Sequence, residues 1–115
     1  MSDRLHETLG TLARAPGVRA ALVAGERDGL AAAAVAAVDV DTDALAAFAM
    51  ALFRRARLAN AAAGYGATHR IVLDAEAGRL FVASSGELSL VVLADRDAGA
   101  GMIRVAMQRA AGEIA

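Results

Sequence analysis

Residues 43–63 read DALAAFAMALFRRARLANAAA, a stretch in which alanine is the commonest residue and from which glycine and proline are absent. Alanine has the highest helix propensity of the amino acids. Asp41 or Thr42 can cap the first turn, because a side-chain oxygen at that position accepts a free backbone N–H. Gly64 stands where helices commonly end in a left-handed residue. The stretch therefore predicts one long helix in the middle of the chain.

Both sides of this predicted helix are apolar, although a surface helix of a monomer usually has one polar side. Spacing of 3.6 residues per turn predicts a core face, which consists of Leu45, Phe48, Ala49, Leu52, Phe53, Ala56, Ala59 and Ala63. The opposite side, the predicted second face, consists of Ala47, Met50, Ala51, Arg54, Leu58 and Ala61, with Arg55 and Arg57 on its flanks. A chain of 115 residues has few layers with which to cover both sides. We therefore expect another molecule to bind the second face.

Composition indicates a single globular domain covering residues 1–115, since 57% of the residues are hydrophobic and 22% are charged. The net charge of −1, without a block of like charge, argues against a nucleic-acid-binding protein, which normally has a basic patch. The chain has no cysteine and therefore no disulfide or thiolate chemistry. The longest apolar run, residues 30–38, is too short to span a membrane, and the N-terminus lacks the layout of a signal peptide. We predict a cytoplasmic protein that does not insert into membranes.

The rest of the chain predicts two further helices and five strands. Ser2 can cap a first helix that runs to about Arg14 and stops before Pro16, and a last helix follows Gly101. Asp28-Gly29 predicts a hairpin turn between the first two strands. The five strands are predicted at 18–24, 30–35, 69–74, 79–84 and 88–94. The predicted fold is α/β (α+β), in the order α-β-β-α-β-β-β-α: a five-stranded antiparallel meander sheet with the long central helix on one face and the terminal helices on the other.

Serine, histidine and aspartate, the residue types of a hydrolase triad, are present, but they do not occur in a known catalytic motif. No Gly-x-Ser-x-Gly motif surrounds Ser84 or Ser85, and His6 and His69 show no metal-binding spacing. The short Gly-x-Gly segments at 64–66 and 99–101 cannot be nucleotide loops of the Walker type, since the chain contains no lysine. We predict no catalysis, no metal and no cofactor, and we place His69 in a strand at an edge or interface.

Three segments, taken with the order and length of the elements, point to a known family. They are LARAPGV at 12–18, before the first predicted strand, ALVAGERDGL at 21–30, across the first hairpin, and LVVLADRDAGAGMIR at 90–104. In these features the chain resembles the Roadblock/dynein light-chain family over essentially its whole length. The last segment is similar to the ending common in bacterial members of that family.

The resemblance implies a homodimer in which the central helices lie side by side and the third strands pair into one continuous sheet. Bacterial, MglB-like members of the family commonly bind small Ras-like GTPases, which dock over the paired helices. The predicted dimer and partner interface consists of Ala47, Met50, Ala51, Arg54, Arg57, Leu58, Ala61, His69 and Ile71. Because these modules act mainly by binding, the resemblance does not support a catalytic role for the arginines.

Other functions remain open at this point. The protein could be a purely structural dimerisation subunit of a larger motor or scaffold assembly, as the motor-associated members of the family are. A small-ligand sensor is a third possibility, although few polar groups in the predicted core could orient a ligand. The arginines at 54, 55 and 57 could also form only a solvated helix edge.

Overall fold

Three helices and five strands make up the fold of the computed structural model, which describes residues 2–114. The helices are α1 (Ser2–Ala13), α2 (Thr42–Ala62) and α3 (Ala100–Ile114). The strands are β1 (Val18–Gly25), β2 (Ala31–Ala36), β3 (Arg70–Ala75), β4 (Gly78–Ser85) and β5 (Leu88–Ala94). The element order confirms the predicted fold class, and the predicted bounds of α2 and of every strand lie within one residue of the observed ones. Within the described range, no helix is both long enough and apolar enough to cross a membrane.

The strands form one antiparallel sheet in the order β2-β1-β5-β4-β3. Consecutive strands β3, β4 and β5 form a meander, as predicted, and β5 then pairs with β1. The prediction of a meander through all five strands is wrong, because β2 and β3 lie at opposite edges of the sheet. α2 connects these two strands and crosses the sheet between them, contacting all five strands. This connection places β3 at the edge of the sheet opposite β2.

α2 covers one face of the sheet, while α1 and α3 cover the other. Successive side chains of a strand point to opposite faces, so each central strand contributes to both cores. The core beneath α2 consists of Leu22, Ala24, Ala46, Ala49, Met50, Phe53, Leu80, Val82 and Val91. The other core includes Leu9, Leu12, Phe81, Leu90, Val92, Ile103 and Met107. Burial on both faces explains why the central strands are apolar throughout.

Both ends of α2 follow from local side-chain and backbone chemistry. Asp41 Oδ1 accepts a hydrogen bond from the Ala44 N–H at 3.1 Å, which confirms Asp41 as the N-cap. Gly64 has a φ of +80°, and its N–H donates to the Ala61 carbonyl. The Tyr65 N–H donates to the Asn60 carbonyl at 2.9 Å, which completes a Schellman motif. The predicted left-handed end at Gly64 is therefore confirmed.

The face that α2 turns towards the sheet differs from the predicted core face. Its fully buried residues are Ala46, Ala49, Met50 and Phe53. Phe48, Ala59 and Ala63 were predicted in the core but are exposed, and Met50 was predicted on the second face but is only 3% exposed. Ala49 and Phe53 are buried as predicted, and Leu45 and Leu52 are half-buried against the same core, so the observed face overlaps the predicted one but is turned towards Met50. The two small residues Ala46 and Ala49 face the sheet, which allows close approach of the helix backbone.

Candidate partner-binding surface

α2 has an exposed side that is mainly apolar. We define the exposed α2 face as the residues that lie on this side at helical spacing: Ala44, Ala47, Phe48, Ala51, Arg54, Arg55, Leu58 and Ala61. Phe48 is 53% exposed and Leu58 is 66% exposed, which is unusual for side chains of this size. A contiguous exposed apolar patch rimmed by polar groups is typical of a protein interaction site. The predicted interface residues Ala47, Ala51, Arg54, Leu58 and Ala61 all lie on this face.

Two of the predicted interface residues of α2 lie off this face. Met50 is part of the core beneath α2, so it cannot contact a partner, and its assignment to the interface is wrong. Arg57 is held within the protomer: its Nη2 lies 2.9 Å from Glu26 Oε1, and its guanidinium carbon lies 4.5 Å from the centroid of the Phe53 ring. Among residues 2–114, by contrast, no ion pair involves Arg54 or Arg55. The charges that the exposed α2 face offers to a partner are therefore those of Arg54 and Arg55.

A carboxylate just after β1 is the centre of a polar cluster at one end of α2. Glu26 Oε1 accepts hydrogen bonds from Ser84 Oγ at 2.7 Å and from Ser89 Oγ at 3.0 Å, besides the contact with Arg57. Burial raises the pKa of the Glu26 carboxyl, but the hydrogen bonds from Ser84, Arg57 and Ser89 outweigh burial and hold the pKa below its ordinary value. One ionised group therefore links α2 to the end of β1 and to the β4–β5 hairpin.

Glu26 stands between the first two predicted strands, and this cluster was not predicted from the sequence. Ser84 and Ser89 are directly opposite each other in the β4–β5 pair, so their proximity could have been predicted from the hairpin. Glu26 and Ser84 are separated by 58 positions, and no local pattern connects them. The pairing of β1 with β5, which the sequence pattern does not indicate, brings the carboxylate to the serines.

The side chains considered for catalysis have structural partners or lie at the surface. The Ser84 hydroxyl donates to Glu26, and Ser85 Oγ donates to the Ala111 carbonyl at 3.3 Å. His69 is exposed just before β3, and His6 is exposed on α1. No group of three or more His, Cys, Asp or Glu residues in the described part of the chain is placed to hold a metal ion. The arrangement therefore places Ser84 in the polar cluster around Glu26, ties Ser85 to α3, and leaves both histidines exposed.

β3 contributes the second exposed feature, an open edge of the sheet. It pairs with β4 on one side only. Ile71 and Leu73 are half-buried and pack against the core beneath α2, while Arg70, Val72 and Asp74 are exposed. An open edge offers backbone N–H and C=O groups that another strand can bond. Of the predicted interface residues, Ile71 therefore lies in an edge strand that is free to pair, and His69 lies just before that strand.

The chain matches known proteins over nearly its whole length. The profile of the Roadblock/LC7 domain family matches residues 4–94. An uncharacterized protein of Methanocaldococcus jannaschii, MJ0310, is 34% identical over 114 residues, which cover 99% of this chain and 96% of that protein. A crystal structure of a Roadblock/LC7 domain from Streptomyces avermitilis has a TM-score of 0.85 at 25% identity and covers 94% of this chain and 92% of its own. A structure of MglB with a tetrameric arrangement has a TM-score of 0.83 at 25% identity, covering 95% of this chain and 83% of its own. The protein belongs to the Roadblock/LC7 domain family.

Proposed function

We propose that the protein is a non-enzymatic, cytoplasmic homodimer that binds a small Ras-like GTPase through the exposed α2 faces of its two subunits. The observation that carries this proposal is the exposure of Phe48 and Leu58 among small apolar residues of α2. When a partner covers side chains of this size, their burial stabilises the complex by roughly 25 cal/mol per Å² of apolar area removed from water. Regulation or localisation of the GTPase would follow from this binding.

Three observations support the homodimer. The open edge of β3 can pair with the same edge of a second copy, which joins two five-stranded sheets into one and keeps both α2 helices on the same face. The structurally similar MglB is known in a tetrameric arrangement, which supports self-association in this family. The chain is also poor in aromatic residues, and small side chains each bury little apolar area. Oligomerisation would add buried area and so stabilise the folded protomer.

The chemistry of the exposed α2 face supports a protein partner. Arginine is enriched at protein interfaces, where its planar guanidinium packs on apolar groups and binds carboxylates. Arg54 and Arg55 flank the apolar residues of the face, and their side chains are exposed. We assign both arginines a binding role. A GTPase surface with carboxylates around an apolar centre would be complementary to this face.

The test is capture of a GTPase by the tagged protein from a native lysate, with and without a non-hydrolysable GTP analogue. Capture should depend on the nucleotide and should be lost with Leu58→Asp, which places a charge in the apolar centre. Arg104→Glu is the matched control, because Arg104 is an exposed residue of α3 on the opposite side of the sheet. Capture of the same GTPase by wild type and by Leu58→Asp would refute the assignment. A dimer that captures only motor or scaffold subunits would favour the structural alternative.

A further inference from the structure

We infer that two copies of the chain pair through β3 in one particular register, with Val72 opposite Val72 of the partner subunit and Arg70 opposite Asp74 of the partner subunit. The inference rests on the proposed homodimer and specifies its β-sheet contact at the level of single residues. It follows from three properties of β3: which backbone groups point outward, which side chains share a face, and where the charges lie.

The ladder between β3 and β4 determines which backbone groups are free. The Ser84 N–H donates to the His69 carbonyl at 2.9 Å, and the register continues with Arg70 opposite Ala83 and Ile71 opposite Val82. In an antiparallel ladder, opposed residues alternate between hydrogen-bonded and non-hydrogen-bonded pairs. Residues at odd positions therefore direct their N–H and C=O groups towards β4. Those of Arg70, Val72 and Asp74 point to the open edge, where a second strand can bond them.

Symmetry then limits the registers that are possible. A two-fold axis between antiparallel copies of one strand runs perpendicular to the sheet, so each side chain stays on its own face. Ile71 and Leu73 pack on the α2 side in both copies, and they can oppose only residues of that side. The two-fold axis must consequently lie midway between one residue of β3 and its own copy in the partner subunit. The central candidates for that residue are Ile71, Val72 and Leu73.

The charges of β3 select one of these three registers. With the axis at Val72, Arg70 lies opposite the partner subunit's Asp74 on both sides of the axis. The same register places Ile71 opposite Leu73 of the partner subunit, which matches apolar side chains on the α2 side. Opposite charges and apolar pairs directly across two strands are stabilising. The Asp74 side chain is 57% exposed, so it can accept Arg70 of the partner subunit as well as its own contact with Arg79.

The other two registers match side chains less well. With the axis at Ile71, Arg70 faces Val72 of the partner subunit, and no opposite charges meet. With the axis at Leu73, Arg70 meets the partner subunit's Glu76, but the apolar Val72 faces Asp74 of the partner subunit. Glu76 also lies in the turn beyond the end of β3, so its backbone does not extend the ladder. Only the Val72-centred register pairs every residue from Arg70 to Asp74 favourably.

A charge exchange tests the pairing of Arg70 with Asp74. Arg70→Asp gives a chain with aspartate at positions 70 and 74. Asp74→Arg gives a chain with arginine at positions 70 and 74. Each variant alone should raise the dimer dissociation constant by roughly 10- to 100-fold, because two attractions become two repulsions. An equimolar mixture of the two variants should form a heterodimer with complementary charges, which native mass spectrometry resolves by mass. Glu76→Arg is the control and should leave the constant within about twofold of wild type, as expected for an exposed charge outside the contact.

Cysteine cross-linking tests the register directly, because the chain contains no cysteine of its own. Hydrogen-bonded pairs have Cα atoms about 5.5 Å apart, within the range that a disulfide can bridge. Val72→Cys should therefore cross-link rapidly on mild oxidation. Ile71→Cys and Leu73→Cys should cross-link poorly, since each would be a diagonal neighbour of its own copy at about 7–8 Å.

The outcomes separate this inference from the proposed function. A wild-type protein that remains monomeric would overturn the homodimer itself. A wild-type dimer whose charge variants form no heterodimer would overturn the register and leave the homodimer standing. The register would also be wrong if Ile71→Cys or Leu73→Cys cross-linked faster than Val72→Cys. Rapid cross-linking at Val72 together with the heterodimer would establish it.

Discussion

Alanine substitution of Phe53 and of Phe48, one at a time, tests how α2 is oriented against the sheet. The two changes are chemically identical and lie in the same helix, but the residues have opposite environments. Phe53 is 1% exposed in the core beneath α2, and Phe48 is 53% exposed on the exposed α2 face. Phe53→Ala should therefore destabilise the protomer much more than Phe48→Ala does.

The magnitudes follow from the contacts of each ring. Removing a buried phenylalanine ring costs about 3–5 kcal/mol of unfolding free energy, which includes the cavity that it leaves. Phe53→Ala also removes the ring beneath the Arg57 guanidinium, a cation–π contact worth about 0.5–1 kcal/mol at a partly exposed site. Phe48→Ala should change the unfolding free energy of an isolated protomer by only about 0.5 kcal/mol, as surface substitutions usually do.

Urea unfolding followed by circular dichroism, at several protein concentrations, measures both effects. The loss caused by Phe53→Ala should be similar at every concentration, because it arises within the protomer. If Phe48 contacts a second subunit, the loss caused by Phe48→Ala should grow with concentration, since association stabilises the folded state by mass action. Equal losses for the two variants at the lowest concentration would show that the assigned orientation of α2 is wrong.

Two further predictions concern the polar cluster and the end of α2. The lowered pKa of Glu26 means that its ionised form stabilises the fold above the ordinary glutamate pKa of about 4.3, and that this contribution is lost as pH falls through the lower folded-state pKa. Between neutral pH and pH of about 3, the urea midpoint of wild type should thus fall more than that of Glu26→Gln, and equal falls would contradict the prediction. Gly64→Ala should cost about 1 kcal/mol in unfolding free energy, because Gly64 has a φ of +80°. The cost would come from the backbone alone, since a Cβ added at Gly64 would meet no neighbouring atom within 4 Å. Ala63→Gly, at a residue with ordinary right-handed backbone, is its control, and a larger loss there would refute the strain argument.

Local chemistry explains why the elements could be predicted so closely. Pro16, Asp41 and Gly64 each act on the backbone within a turn or two, so helix ends can be recognised without knowledge of distant contacts. Glycine-bearing turns separate the last three strands in the same way. The family resemblance supplied the expected assembly, which the sequence pattern by itself does not specify.

Orientation and long-range pairing could not be predicted on this basis. In α2, alanine occurs on every side, so helical spacing placed Phe48 in the core together with Leu45 and Leu52, although only the two leucines pack there. Packing against the sheet, with Ala46 and Ala49 at the contact, determines the actual rotation. The polar cluster around Glu26 also depends on contacts between distant parts of the chain, since only the pairing of β1 with β5 brings Glu26 to Ser89.

The position of α1 and α3 has a practical consequence for attaching this protein to surfaces or labels. Both helices lie on the side of the sheet away from α2, and Thr8 Oγ1 donates to Glu113 Oε2 at 2.8 Å between them. A fluorophore or affinity handle joined near either helix is therefore separated from the exposed α2 face by the full thickness of the sheet. Immobilisation through these helices would leave α2 facing the solution, so that a sensor chip could present every molecule in the same orientation.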